Sequence, residues 1–173
     1  MRAIFERRSI RDYQNRDVES EKIEQILRAG MAAPTSTNNQ EWEFVVIKNK
    51  EIMYQIMEMD VYASALQTAP VCIAVCANKN RVSEPNELFW VQDLSAAAQN
   101  MLIAATALEL GSLWLGLYSN QRNELKRLLH LPDYVDPLML LVFGYAKVKK
   151  EPVERYLEER VHFDSYSSKT IFD

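Results

Sequence analysis

The sequence predicts an α+β fold, because apolar segments with strand character alternate with segments of helical periodicity. Four short runs are rich in β-branched, aromatic and other apolar residues, and they lie at 42–47, 71–76, 113–118 and 138–143. Apolar residues at helical spacing precede and separate these runs. The 173 residues, 48% of them hydrophobic, suit one domain with a substantial core.

The helices are predicted from the spacing of apolar residues and from the residues at their ends. We expect a short helix over 2–6 and longer ones over 20–31, 51–59 and 120–129. Ser20 and Asn120 are residue types that cap helix N-termini, and Gly30 is typical of a helix end.

A further helix, with its core at 94–105, is apolar and small on nearly all sides, and Glu109 and Gly111 mark its end. Such a helix is buried around most of its circumference. This pattern predicts either a central helix or one that packs against a partner subunit.

The composition excludes several classes of protein. A net charge of -4 argues against broad binding of nucleic acid or anionic membranes. We see no apolar run of about 18 residues and no secretory signal, so we expect a cytoplasmic protein without a membrane span. Cys72 and Cys76 lie in a strand-like run and are expected to be reduced core residues.

Glycine and histidine are both scarce, and this excludes several kinds of functional site. The chain has four glycines, too dispersed for a glycine-rich phosphate loop, so any phosphate must be held by side chains. It has two histidines, His130 and His162, without clustered carboxylate or thiolate partners. We therefore expect neither a metal site nor a histidine-driven catalytic triad.

A concentration of positive charge near the N-terminus is the first candidate site. Arg7, Arg8, Ser9 and Arg11 fall within five residues. Guanidinium groups present a planar fork of donors that matches phosphate oxygens. An acidic chain has no general need for such a cluster, which indicates an anionic ligand.

Two further segments are candidate ligand contacts, although each pattern also has an ordinary structural explanation. The loop 33–40 is small and polar, and its Thr, Ser and Asn side chains either satisfy turns or contact a ligand. Gly116 interrupts a predicted strand, which indicates a bulge or the close approach of a ligand or another backbone. Trp42, Trp90 and Trp114 are expected in the core.

Three separated segments together resemble the nitroreductase family of FMN-dependent oxidoreductases. They read RRSIR at 7–11, PTSTNNQEWEFVV at 34–46, and GSLWLGLY at 111–118 followed by FGY at 143–145. The resemblance implies a three-layer α-β-α sandwich with a mainly antiparallel sheet. It also implies an intertwined homodimer with FMN at the interface. Residues 1–173 would form one domain whose extension, about 147–173, wraps the partner through its aromatic residues.

The resemblance assigns roles to particular residues. Arg7, Arg8 and Ser9 would hold the phosphate and ribityl chain, and Arg11 would lie near the N1–C2=O edge of the flavin. Other contacts would come from Pro34, Thr35, Ser36 and Asn38 of the other subunit, from Leu115 and Gly116, and from Arg155, with Lys149 or Lys150 as alternatives to Arg155. Glu41 departs from the family's usual proline.

The activity implied is hydride transfer from NADH or NADPH through flavin N5 to a nitroaromatic, quinone or similar small acceptor, in a ping-pong order. The chemistry belongs to the cofactor, so no residue is given a catalytic role. Two alternatives remain open: a flavin-storage module of the same fold, and an anion-binding structural dimer.

Overall fold

A computed structural model describes residues 1–83 and 88–166. Its helices are α1 (Arg2–Glu6), α2 (Ser20–Met31), α3 (Lys50–Met59), α4 (Phe89–Ala107) and α5 (Ser119–Leu128). Its strands are β1 (Trp42–Ile47), β2 (Val71–Asn78), β3 (Gly111–Gly116) and β4 (Val135–Gly144). Each predicted helix and strand is present, with ends that differ by a few residues. Helix α2, for example, has Glu19 rather than Ser20 as its N-cap.

The four strands form one antiparallel sheet in the order β1-β2-β4-β3. Strand β4 begins three residues before the predicted strand and includes Pro137. A register shift between Val75 and Cys76 places Pro137 opposite Cys76, next to an irregularity in the β2–β4 ladder. Proline lacks a backbone donor and is tolerated in strands at such irregularities.

Helices cover both faces of the sheet, which confirms the α+β, three-layer architecture. One face packs Ala74 and Leu140 against α3 and α5, and the other packs Ile73 and Leu141 against α2 and α4. The two buried sets alternate along β2, as the two-residue period of a strand requires. Cys72 and Cys76 are free and buried in the first core layer, and burial raises the pKa of Cys76 to about 12.

Helix α4 is buried along most of its length, as its composition predicts. Leu94, Ala97, Ala98 and Met101 have no exposed surface, and Gly30 of α2 allows the two helices to approach closely. A Cβ atom at Gly30 would lie 2.9 Å from the side chain of Met101. The helix ends differently from the prediction, since Glu109 takes the left-handed conformation (φ 63) and Gly111 begins β3.

The N-terminal segment docks against the ends of β3 and β4. Ile10 and Tyr13 are buried, the N–H of Ile10 donates to the carbonyl of Ser112 (2.9 Å), and that of Gln14 donates to the carbonyl of Tyr145 (2.8 Å). The docking depends on two glycines that pair across the sheet, Gly111 and Gly144. A Cβ atom would lie 2.8 Å from the side chain of Ile10 at Gly111, and 2.8 Å from that of Tyr13 at Gly144.

The described part of the C-terminal extension lies on the surface. Residues 147–166 contain one short 3-10 turn, Glu158–Arg160, and expose Tyr156, Leu157 and Tyr166. Phe172, which we expect to wrap a partner, lies outside the described residues. Within residues 1–83 and 88–166, no helix is long and apolar enough to cross a bilayer, and no group of three potential metal-ligating side chains occurs.

The close approach at Gly144 generates a stability prediction. We expect Gly144→Ala to lower the free energy of unfolding by about 1–3 kcal/mol, because the new methyl group meets Tyr13 and the rigid ring of Pro70. Denaturant unfolding measures the change. Gly116→Ala is the matched control, with no atom within 4 Å of its Cβ position, and it should change stability by less than about 0.5 kcal/mol. Equal losses in both variants would contradict the packing argument.

Candidate functional site

A basic cavity of about 1100 Å³ lies beside the arginine segment. Arg8, Lys149 and Lys150 line it, together with residues from α1 and the C-terminal end of α4. The amine of Lys150 donates to the carbonyl of Ser9 (3.0 Å), which fixes the start of the C-terminal extension against the arginine segment. The cavity therefore combines an arginine near the N-terminus with two lysines that follow β4.

Arg8 is held in place but only partly satisfied. Its Nε donates to the carbonyl of Glu151 (2.8 Å) and its Nη1 to the carbonyl of Arg7 (2.5 Å). Its Nη2 is buried and has no hydrogen-bond partner. Buried donors are nearly always paired in proteins, and a guanidinium prefers an anionic oxygen. The orphaned nitrogen therefore indicates that an anion completes this site.

The other residues of the arginine segment take different positions. Arg7 ends α1 and is half-buried, as is Ser9, which forms a bridge with Ser112 of β3. Arg11 is exposed and lines a second cavity of about 590 Å³. The segment thus supplies cations to two cavities, because the buried Ile10 lies between Arg8 and Arg11.

The second cavity brings Arg11 together with Leu115 and Gly116. The β3–β4 register is regular through Gly116, so the bulge considered for this glycine is absent. A Cβ atom at Gly116 would meet nothing within 4 Å, which leaves the backbone open to a ligand. Trp114 also lines this cavity and is 36% exposed, so its expected core position was wrong. Alternation along β3 buries Leu113 and Leu115 and turns Trp114 outward.

Sequence reasoning missed further residues that line this cavity. Asp60 and Tyr62 line it from the 3-10 segment that follows α3. Asp60 caps that segment by accepting the N–H of Tyr62 (2.9 Å), and Tyr62 is largely exposed. An aspartate at a helix boundary predicts a cap, but nothing in the local sequence places it in the same cavity as Gly116. Tyr118, which was not assigned, also lines the cavity.

The polar loop between α2 and β1 is locked against α4. The N–H of Ser36 donates to Asp93 Oδ2 (2.8 Å), and the hydroxyl of Thr35 accepts the N–H of Gln40 (3.1 Å). Thr37 and Asn38 have positive φ angles of 52 and 58. A β-branched residue in this conformation is strained, and such strain concentrates at functional sites.

Within one chain, this loop lies apart from the arginine segment. Among the described residues, the linings of the two cavities do not include Pro34, Thr35, Ser36 or Asn38. The structure thus brings together Arg8 with Lys149 and Lys150, and separately Arg11 with Leu115 and Gly116.

Three basic residues of the C-terminal extension are candidates for the further contact with an anion. Arg155 is exposed, and its backbone N–H donates to the carboxylate of Glu154 (2.7 Å). Lys149 and Lys150, the alternatives to Arg155, line the cavity beside Arg8. This geometry favours a lysine as the late cation.

Comparison with known proteins places the chain among flavin-related reductases. A model described as "Nitroreductase family" matches residues 4–60 and 57–145. The chain is 36% identical over 168 residues to a protein of Methanothermobacter thermautotrophicus named "Putative NADH dehydrogenase/NAD(P)H nitroreductase", covering 96% of this chain and 87% of that one. It is 30% identical over 183 residues to "FMN reductase [NAD(P)H]" of Bacillus subtilis, covering 96% and 74%.

Solved structures share the fold. A protein of Clostridium acetobutylicum described as "Putative NADH Oxidase" superposes with a TM-score of 0.90 at 36% identity, covering 95% of this chain and 99% of that one. An FMN-dependent nitroreductase of Clostridium difficile superposes with a TM-score of 0.86 at 28% identity, covering 95% and 99%.

The orphaned nitrogen of Arg8 generates a binding prediction. Inorganic phosphate at about ten times its dissociation constant should stabilise the wild-type protein by about 1.4 kcal/mol, seen as a higher Tm. Arg8→Ala should remove most of this increase, because the buried donor is lost. Arg28→Ala is the control, since Arg28 is exposed and pairs with Glu24 on α2. An unchanged phosphate effect in Arg8→Ala would contradict the assignment.

Proposed function

The chain belongs to the nitroreductase family, and on that premise we propose that it is an FMN-dependent oxidoreductase that uses NADH or NADPH to reduce a small-molecule acceptor. One observation carries the proposal. Arg8 has a buried donor without a partner, and it lines a cavity together with Lys149 and Lys150. The phosphate of FMN is a dianion, and its burial requires several hydrogen-bonding cations of this kind.

The first cavity, lined by Arg8 but not by Arg7 or Ser9, is the proposed position of the phosphate end of FMN. Arg7, Arg8 and Ser9 are the proposed phosphate and ribityl ligands, and Lys150 is the proposed late cation in preference to Arg155. Lys150 already contacts the backbone of Ser9, so its charge lies at the same end of the cavity as that of Arg8. These positive charges offset the cost of removing the phosphate from water.

The second cavity is the proposed position of the flavin ring. Arg11 supplies a cation, and the open backbone at Leu115 and Gly116 allows amide groups to approach a planar ligand. When bound, FMN supplies hydride transfer at N5, from NAD(P)H and then, in ping-pong order, to a nitroaromatic, quinone or similar acceptor. Arg11 is proposed to stabilise negative charge at the N1–C2=O edge, and no residue of the chain is required as acid, base or nucleophile.

We infer that the working unit is a homodimer built from one domain per chain, residues 1–173. Pro34, Thr35, Ser36 and Asn38 would reach the flavin of the other subunit, which agrees with their separation from both cavities within one chain. Exposed apolar side chains on α4 and β3, such as Val91 and Trp114, supply surface for such an interface. The extension 147–173 would wrap the partner.

The visible spectrum of the purified protein tests the proposal. We expect the absorbance of bound FMN, and we expect NADH or NADPH to bleach it within seconds under anaerobic conditions. Titration with each nicotinamide separates the two donors. A colourless protein that remains colourless after incubation with FMN would contradict FMN binding. Bound flavin that neither nicotinamide reduces would favour the storage module instead.

The open position at Gly116 generates a second test. Gly116→Val should leave the fold intact, since nothing lies within 4 Å of the new Cβ atom and valine favours strands. The added side chain should lower FMN affinity by about tenfold or more, because it fills space proposed for the ring. Fluorescence titration measures the affinity and thermal unfolding checks the fold. Wild-type affinity in a folded Gly116→Val protein would contradict this placement of the ring.

A further inference from the structure

A second buried charge site lies beneath the polar loop. Glu41 immediately precedes β1 and has no exposed surface. Neither of its carboxyl oxygens has a hydrogen-bond partner, although its backbone carbonyl accepts the N–H of Asn78 (2.7 Å). An ionised carboxylate without partners is among the most costly groups to bury. A partner subunit cannot supply the missing contacts, because no part of Glu41 reaches the surface of the chain.

Asp93 of α4 is the acidic neighbour of Glu41. It is only 8% exposed, and its Oδ2 accepts the N–H of Ser36 (2.8 Å). Burial raises the pKa of Glu41 most strongly, and the neighbouring carboxyl of Asp93 raises it further. Lys79, which follows β2, opposes this rise, and Arg81 donates to the carbonyl of Gln40 (3.3 Å).

A shared proton gives each of the two carboxyl groups a hydrogen-bond partner. Two adjacent carboxylates do not both ionise readily, and a shared proton removes their repulsion. Asp93 must accept the N–H of Ser36, a role suited to a carboxylate. Glu41 in its neutral form has one O–H to donate, and Asp93 is the acceptor beside it.

We propose that Glu41 is a positioning residue for flavin binding, which in its neutral form donates a hydrogen bond to Asp93 and thereby holds Asp93 against the backbone of Ser36. This inference rests on the proposed function, in which Thr35, Ser36 and Asn38 contact the flavin. The strained backbone at Thr37 and Asn38 has to be held by its surroundings, and Asp93 is the contact from α4 that does so.

The proposal has a defined pH dependence. Because the folded protein binds this proton more tightly than the unfolded chain, the stabilisation is complete below the ordinary pKa of glutamate, about 4.3, and is lost as pH rises through the higher pKa of the folded state. Loss of the proton places two charges side by side under the loop. We therefore expect the loop to loosen and FMN affinity to fall as pH increases.

The experiment compares FMN affinity from about pH 5 to about pH 9, and the variant that cannot ionise at position 41 corrects for the titration of the FMN phosphate itself. The variants are Glu41→Gln, which keeps a donor but cannot ionise, Glu41→Ala, and the control Glu58→Gln on the exposed surface of α3. The protein is freed of flavin and titrated with FMN by fluorescence. Carbon-13 NMR of the glutamate carboxyl groups and the amide signal of Ser36 report on the pair without flavin.

Relative to Glu41→Gln, the affinity of the wild type and of Glu58→Gln should fall about threefold or more as pH rises through the titration of Glu41, and all three should bind alike at the low end of the range. Glu41→Ala should bind about tenfold more weakly throughout, as expected for one lost hydrogen bond at a buried site. The same pH dependence in Glu41→Gln as in the wild type would overturn the proposal.

The flavin-free measurements separate this inference from the proposed function. If no variant binds FMN, the proposed function fails. The proposal about Glu41 is then decided by NMR, which should show that its carboxyl titrates above the ordinary range of glutamate and that the Ser36 amide signal follows this titration. A Glu41 carboxyl that titrates in the ordinary range, or a Ser36 signal that does not follow the titration, would overturn it.

Discussion

The docking of the N-terminal segment against Gly111 and Gly144 is the constraint on which the site depends. Ile10 and Tyr13 fill space that any larger residue at these glycines would occupy. Their burial fixes the backbone of the segment beside the two cavities that Arg8 and Arg11 line. Two backbone carbonyls also hold the Arg8 side chain, so it loses little further entropy when it binds an anion, which is the advantage of a preorganised site.

Two buried groups without partners mark the two halves of the proposed flavin site. Arg8 has a donor that lacks an acceptor, and Glu41 has a carboxyl that lacks a donor. The first is accounted for by an incoming phosphate, which carries charge into the cavity. The second is accounted for by a proton retained within the fold, which removes charge from beneath the loop. Both follow from the cost of isolated charge in a poorly solvated interior.

Much of the fold could be predicted from the sequence, because burial of one face of a helix or strand requires apolar residues at a regular spacing. The four strands were predicted from apolar runs, whereas the earlier start of β4 was missed because Pro137 is unfavourable in a strand without a local irregularity. The cations at 7–11 were also evident from the sequence. Other contacts depend on the path of the chain in space: Lys150 against Ser9, Asp60 in the same cavity as Gly116, and Asp93 beneath Ser36. Trp114 was wrongly predicted to be buried. Residue type predicts burial, but it does not show which face of an edge strand is covered.

The central claim is that one chain's arginine segment and the other chain's polar loop complete a single flavin site. A mixed dimer tests it directly, with Arg8→Ala in one chain and the triple change Thr35→Ala, Ser36→Ala and Asn38→Ala in the other. If each site is shared between chains, one site of the mixed dimer is intact, and the protein should hold one FMN per dimer with wild-type affinity although either parent binds poorly. If each site belongs to a single chain, both sites are damaged. A mixed dimer without tightly bound FMN would therefore contradict the account.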